Sequence, residues 1–197
     1  MNKRVSLTLS GLDKPMSAKP LSRIEISLHW IVGLSVIGLL CVGFYMSKNE
    51  VYSLYPIHKS VGTLLFIFIL ARSFIRLRKG WPDPISTGQK WEHGLARLIH
   101  WVLILGTLIM PLSGITGSYW AGRGIAIFQL ELVGVNLGPD GQVAAINAGL
   151  SMIAGKVHEI VGWALVGAIA LHVLGALKHH FIDRDNTLRR MLGRSIS

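Results

Sequence analysis

The stretch HEIVGWALVGAIALH, residues 158–172, has a histidine at each end of an otherwise apolar segment. No residue in the range 160–177 is charged. At about 1.5 Å per residue, a helix of this length is enough to cross about 30 Å of hydrocarbon. Ionisable side chains are costly inside a membrane and normally have a functional partner there. The segment therefore predicts a transmembrane helix that carries two functional histidines.

Three further stretches have the same length and apolar character. They cover residues 26–47, 57–77 and 98–119, while the fourth covers about 156–177. Strands of a membrane barrel alternate polar and apolar residues, and these stretches do not. The chain has 197 residues, of which 51% are hydrophobic and 15% are charged, and this composition is typical of a small helical membrane protein. We predict an all-α integral membrane protein, a four-helix bundle.

The formal charge of +10 is unevenly distributed about these spans. All lysines and arginines except Lys48, Lys59, Arg123 and Lys156 lie before the first span, around the second connection or after the fourth span. The positive-inside rule then predicts that both termini are cytoplasmic. Nucleic-acid binding is not expected, because no basic face with base-stacking groups is evident. The first span lacks the pattern of a cleaved signal peptide and is expected to be retained.

The same features predict three regions. Residues 1–23 are expected to form a basic cytoplasmic tail, 24–180 the transmembrane domain and 181–197 a second cytoplasmic tail. The outer connection, about 120–154, is the longest and is expected to fold over the outer end of the bundle. The connection 80–94 is rich in proline and glycine, which favours an irregular loop.

Four of the eight histidines lie at matching predicted depths. His58 and His158 are near the outer face, and His29 and His172 are near the inner face. His172 follows His158 by 14 residues, close to four helical turns or about 21 Å, so both share one helix face. His93, His179 and His180 lie beside charged residues and are interpreted as ordinary interfacial side chains.

Small residues follow these four histidines at the fourth position, where a helical side chain would cover the imidazole. They are Gly33, Gly62, Gly162 and Ala176. Such residues also permit close packing of membrane helices, which is the alternative explanation. His100 has Ile104 at the same position and is not predicted to be an axial ligand.

Two imidazoles at each depth fit haem iron better than zinc. Neither cysteine nor a set of carboxylates completes a tetrahedral zinc site, and Gly162 replaces the second histidine of a His-Glu-X-X-His motif. Haem iron needs only two axial ligands. Cys41 is the only cysteine, so covalent Cys-X-X-Cys-His attachment is excluded. We predict two non-covalent b-type haems held by His58 with His158 and by His29 with His172. With both axial positions filled, electron transfer is favoured over oxygen binding.

Further residues are candidates for contacts with haem propionates or quinone. They are Lys59 and Arg123 on the outer side, and Arg72, Arg76, Arg97 and His100 on the inner side. The alternative for each basic residue is ordinary snorkelling to the membrane surface.

Five blocks of the sequence resemble the bacterial cytochrome b561 family. They are SRIEISLHW (22–30), YPIHKSVG (55–62), HGLARLIHW (93–101), KVHEIVGW (156–163) and LHVLGALKHHFIDRDNTLRRM (171–191). The resemblance implies a four-helix di-haem protein of the bacterial inner membrane. It also implies axial ligands from helix one, helix two and twice from helix four, at His29, His58, His158 and His172.

The resemblance further implies a link to quinones. One kind of member oxidises superoxide and reduces ubiquinone, and others are membrane subunits of hydrogenases or other periplasmic partners. We therefore predict electron transfer between a periplasmic donor, with superoxide as a candidate, and membrane quinone. A haem-containing anchor subunit that passes electrons to or from a partner protein is the alternative, and a histidine-lined metal transporter is a third. Substrate turnover by the chain itself, the direction of electron flow and the oligomeric state stay open.

Overall fold

Four long helices dominate the computed structural model, which describes residues 21–80 and 89–194. The helices are α1 Arg23–Lys48, α2 Tyr55–Lys79, α3 Lys90–Trp120 and α4 Ala148–Phe181, followed by the short α5 Thr187–Met191. All four long helices have the length and apolar composition needed to cross a membrane. This confirms the predicted helical bundle. The predicted tail 1–23 falls largely outside the described residues, and the cytoplasmic placement of both termini stays a prediction.

Polar residues determine where three of these helices begin. Ser22 and Glu25 form a reciprocal capping box at the start of α1, and Gln89 with Glu92 does the same for α3. The side chain of Asn147 accepts a hydrogen bond of 3.0 Å from the backbone N–H of Leu150 at the start of α4. Because α3 begins at Lys90, residues 90–94 are helical, and the loop predicted over 80–94 is too long.

The outer connection contains a small β-hairpin that the sequence analysis did not predict. Strands β1 Ile125–Ile127 and β2 Leu130–Val133 pair antiparallel, and Phe128 takes a left-handed φ of 53° in the tight turn between them. The backbone N–H of Phe128 donates a 2.7 Å hydrogen bond to Oγ of the buried Ser60 on α2. The hairpin therefore rests on the outer end of α2, as expected for a connection that folds over the bundle.

A buried layer, the middle level, crosses the bundle between its two ends. It consists of Val36, Leu65, Thr107 and Leu165, one from each long helix, and each is at most 8% exposed. They follow His29, His58, His100 and His158 by seven residues, or about two helical turns. Leu165 is fully buried against Gly106, where an added Cβ would lie 2.8 Å from Cδ2 of Leu165. A buried and largely apolar layer therefore separates the outer histidines from the inner ones.

Replacing Leu165 by alanine is expected to destabilise the bundle by about 2–5 kcal/mol, because a cavity would remain in the most buried part of the core. Leu174→Ala, on the same helix but 61% exposed, is the matched control and should have little effect. Unfolding in detergent measures both variants. Equal losses of stability would contradict the assignment of Leu165 to the core.

Candidate functional site

A 14-residue spacing recurs in all four long helices and places one residue of each helix at either end of the bundle. We call the two sets the outer level and the inner level. The outer level is Gly43, His58, Gly114 and His158, and the inner level is His29, Arg72, His100 and His172. Since 14 residues are close to four turns, or about 21 Å, each pair shares one face of its helix.

The outer level brings two histidines together between two glycines. The ring centres of His58 and His158 are 6.3 Å apart. A Cβ on Gly43 would lie 3.2 Å from Cε1 of His58, and a Cβ on Gly114 would lie 3.1 Å from Cε1 of His158. Each imidazole is therefore packed against the backbone of a neighbouring helix, which limits its positions.

His158 is also fixed by a hydrogen bond to α3. Its Nδ1 lies 2.9 Å from the carbonyl oxygen of Met110, which can only accept, so Nδ1 carries the proton and Nε2 has a free lone pair. Ser113 donates to the same carbonyl at 2.9 Å. Nε2 of His158 is thus prepared to bind a metal.

The inner level is more polar. The ring centres of His29 and His172 are 6.0 Å apart, and His100 is closer still to His172 at 5.2 Å. Nδ1 of His100 donates a 2.7 Å hydrogen bond to the carbonyl of Ala96 on its own helix. The Nη2 of Arg72 lies 3.2 Å from Nδ1 of His29. Three imidazoles and a guanidinium therefore meet at this end of the bundle.

Further cations surround the inner level. Arg76 lies one turn beyond Arg72 and interacts electrostatically with Glu25 and with Arg190 of α5, which is only 8% exposed. The indole Nε1 of Trp30 donates a 2.8 Å hydrogen bond to the carbonyl of Met191, which holds α5 against α1. Sequence analysis missed Arg190, because no spacing links a residue of the terminal segment to the histidines.

The sequence model of the prokaryotic cytochrome b561 family matches residues 21–194, which is most of the chain. The chain belongs to this family. Three curated relatives, two cytochrome b561 homologs and one probable superoxide oxidase, each align with 88% of the chain. Cytochrome b561 homolog 2 of Escherichia coli is 31% identical over 92% of its own length, and homolog 1 of the same bacterium is 28% identical over 97%. A probable superoxide oxidase, CybB, of Yersinia pestis is 28% identical over 96% of its length.

Membership of the cytochrome b561 family establishes several of the predicted properties. The chain is a multi-pass protein of the bacterial inner membrane and functions in membrane electron transfer. The family implies b-type haem as the cofactor.

The two histidine pairs fit the axial positions of b561 haem. Imidazoles on opposite sides of one metal, each with a metal–nitrogen bond of about 2 Å, have ring centres about 6 Å apart. The observed separations are 6.3 Å at the outer level and 6.0 Å at the inner level. In addition, the Cε1 and Nδ1 atoms of His58 face Gly43, at 3.2 and 3.9 Å from an added Cβ, so Nε2 is the ring nitrogen that remains for a metal.

The small residues predicted to leave room for a cofactor differ in how much open space lies beside them. A Cβ on Gly33 or Gly62 would meet no atom within 4 Å, which agrees with open space beside His29 and His58. Gly162 is different, because its Cβ would lie 3.4 Å from Cε of Met110. The interpretation of Gly162 as clearance beside His158 is wrong: this glycine packs α4 against α3, and Gly155 has the open space instead.

The remaining predicted residues lie in three different places. Arg72, Arg76 and His100 lie at or beside the inner level, as described above. Lys59 follows His58 directly and is close enough to Arg123 for the two charges to repel each other. Arg97 is exposed, and within residues 21–80 and 89–194 no hydrogen bond joins its side chain to the inner histidines.

Proposed function

We propose that the chain transfers electrons across the membrane between a periplasmic donor and membrane quinone, with one b-type haem held by each histidine pair. The observation that carries this proposal is the presence of two pairs, at 6.3 and 6.0 Å, at opposite ends of a shared helix. When bound, haem with two axial imidazoles supplies a one-electron redox centre without an open coordination position. The buried middle level separates the two sites.

The cations of the inner level are suited to haem propionates. Arg76 is close enough to Arg72, Arg190 and Glu25 for their charges to interact, and Glu25 is already paired with Lys79 at 2.9 Å. This excess of positive charge favours anionic groups. Arginine also binds carboxylates with two parallel hydrogen bonds, which holds a propionate in a defined orientation.

The tautomer of His29 determines whether Arg72 can stay in contact with this histidine. A guanidinium cannot accept a hydrogen bond, so its contact with Nδ1 of His29 requires the ring proton on Nε2. Metal binding through Nε2 requires the opposite tautomer. Arg72 must therefore leave Nδ1 when His29 becomes a ligand, and its charge is then available to a propionate next to the same ring.

Arg72→Gln is expected to lower the midpoint potential of one haem by an amount on the order of tens of millivolts, because a nearby positive charge favours the reduced state. A potentiometric titration followed by haem absorbance measures this shift. Arg78→Gln, an exposed arginine of the same helix that lies over Phe74, is the control and should leave both potentials unchanged. Equal effects of the two variants would contradict the placement of Arg72 beside the inner haem.

The outer end of the bundle is suited to an anionic donor. Lys59 and Arg123 lie close together beside His58, and the sequence has few other basic residues on this side. Two like charges near one opening raise the encounter rate of small anions. Superoxide is the donor that this arrangement and the similarity to the CybB protein favour. Two superoxide ions would each lose one electron to give dioxygen, and one quinone would take up both electrons and two protons to give quinol.

Rapid mixing of the haem-loaded protein with superoxide tests this version. We expect the haem absorbance to change to the reduced form and then to return when ubiquinone is added. No reduction by superoxide would exclude superoxide as the donor, and no redox exchange with either quinol or quinone would overturn the proposed function as a whole.

Charge removal at the outer end should slow this reaction. Lys59→Gln combined with Arg123→Gln is expected to lower the rate of reduction by superoxide about tenfold at low salt and less at high salt, because screening weakens steering. Lys48→Gln, an exposed lysine on the same side, is the control. A rate that is insensitive to both charge and salt would contradict steering by this pair.

A second candidate function is that of an anchor subunit that exchanges electrons with a periplasmic partner. The hairpin favours it, because Phe128, Leu130 and Leu132 are 59%, 63% and 52% exposed at the outer end. Such a subunit should co-purify with a stoichiometric partner and show no turnover alone. Full turnover with superoxide and quinone by the isolated chain would rule against it.

Both termini are proposed to lie in the cytoplasm, as the positive-inside rule predicts. In this orientation the inner level lies in the cytoplasmic half of the membrane and the hairpin lies in the periplasm. Residues 1–23 and 181–197 are then the two cytoplasmic tails. Cysteine labelling from each side of the membrane, at positions in the hairpin and in α5, tests this orientation.

A further inference from the structure

A compact cluster of possible metal ligands lies where α4 ends. His179, Asp183 and Asp185 each offer a ligand atom, and these atoms all lie within 4.8 Å of one another. Nδ1 of His179 is 3.1 Å from Oδ2 of Asp183 and 2.9 Å from Oδ2 of Asp185. The turn that brings them together uses a left-handed φ of 54° at Arg184 and a hydrogen bond of 3.0 Å from the N–H of Asp185 to the carbonyl of His179.

These close contacts are not completed as hydrogen bonds. Nδ1 of His179 and Oδ2 of Asp185 are both shielded from solvent, and neither has a hydrogen-bond partner within residues 21–80 and 89–194. The side chain of Asp185 is only 11% exposed. Buried polar atoms without hydrogen bonds are costly, and an ion bound to both atoms would satisfy them.

The distances fit a metal ion. Two ligands at right angles around a divalent metal, with bonds of about 2.1 Å, lie about 3 Å apart. The two N···O distances of 3.1 and 2.9 Å match this value. A neutral imidazole and two carboxylates also give the charge that a divalent cation neutralises. The C-terminal end of a helix adds a favourable partial negative charge.

Lys178 is the competing cation at this place. Its Nζ lies 3.0 Å from Oδ2 of Asp183, but it is also 2.9 Å from Oε1 of Glu92 on α3. The lysine can therefore release Asp183 to a metal and keep an ion pair with Glu92. The ion pair with Glu92 continues to hold α4 against α3.

We propose that His179, Asp183 and Asp185 form a structural site for a divalent transition-metal ion, with zinc as the representative, separate from the haem sites. One imidazole nitrogen and two carboxylate oxygens are ligands that zinc accepts, and water would complete the coordination. The ion would fix the segment between α4 and α5. It would thereby hold α5, with its buried Arg190, in the position that the bond between Trp30 and Met191 also supports.

Zinc analysis of the purified, haem-loaded full chain tests the site. The protein should carry no polyhistidine tag and should be treated with chelator, loaded with zinc and dialysed. About one zinc ion per chain should remain, while His179→Ala and Asp185→Asn should weaken binding at least tenfold. His180→Ala, the adjacent histidine that lies outside the cluster, is the matched control and should retain the ion.

Two results would overturn the proposal. Wild-type protein that retains no zinc after dialysis would show that the cluster is only an ion pair between a protonated histidine and two carboxylates. Retention by both variants at the wild-type level would show that zinc binds elsewhere. An unchanged haem spectrum identifies variants that are still folded, and Asp183→Asn replaces any variant that is not.

Discussion

Replacing His172 by alanine should remove one haem per chain and leave the other bound. His172 supplies the ligand of α4 at the inner level, where its ring centre is 6.0 Å from that of His29. The outer pair lies about 21 Å away along the helix, behind the buried middle level, so its geometry does not depend on His172. A pyridine haemochrome assay on the purified variant should give half of the wild-type haem content.

His100→Ala distinguishes the two ways of pairing the inner imidazoles. The ring centre of His100 is closer to His172, at 5.2 Å, than that of His29 is. A separation of about 6 Å is the value for two axial ligands of one metal, so we expect His29 to be the ligand and His100→Ala to keep both haems. Loss of a haem from His100→Ala, together with its retention in His29→Ala, would show that His100 is the ligand.

Gly114→Leu should have an effect of similar size at the other end of the bundle. An added Cβ would already lie 3.1 Å from Cε1 and 3.3 Å from Nδ1 of His158, and the rest of the leucine would displace the ring. That displacement breaks the hydrogen bond from Nδ1 to the carbonyl of Met110, which orients the ligand. We expect loss of the outer haem and retention of the inner one, again by haem quantification.

Two controls separate this effect from a general disturbance. Leucine is a better helix former than glycine by about 1 kcal/mol, so α3 itself should not be weakened. Gly38→Leu introduces the same change on α1, where a Cβ would meet no atom within 4 Å, and should keep both haems. Retention of both haems in Gly114→Leu would contradict the close packing of His158 against α3.

The sequence was sufficient to predict the helices and the pairing of His58 with His158 and of His29 with His172. Membrane spans are long, uninterrupted apolar runs, and their satisfied backbone leaves few alternatives to a helix. His158 and His172 are 14 residues apart, and helix geometry alone places them on one face. The same spacing links His29 to Gly43 and His100 to Gly114.

Other features depend on contacts between distant segments. Gly162 packs against Met110 rather than leaving space beside His158, because helix rotation decides which neighbour a glycine faces. The hairpin consists of two very short strands between glycines, and its anchor is a bond between Phe128 and Ser60, 68 positions apart. The cluster at His179 needs a turn with a left-handed residue at Arg184, which no periodic pattern predicts.

Haem quantification on the purified wild-type chain tests the central claim most directly. A reduced-minus-oxidised spectrum, calibrated against protein determined by amino-acid analysis, gives the number of b-type haems per chain. Two histidine pairs with ring centres 6.3 and 6.0 Å apart predict two haems per chain. One haem per chain, or none, would contradict the assignment of a redox centre to each end of the bundle.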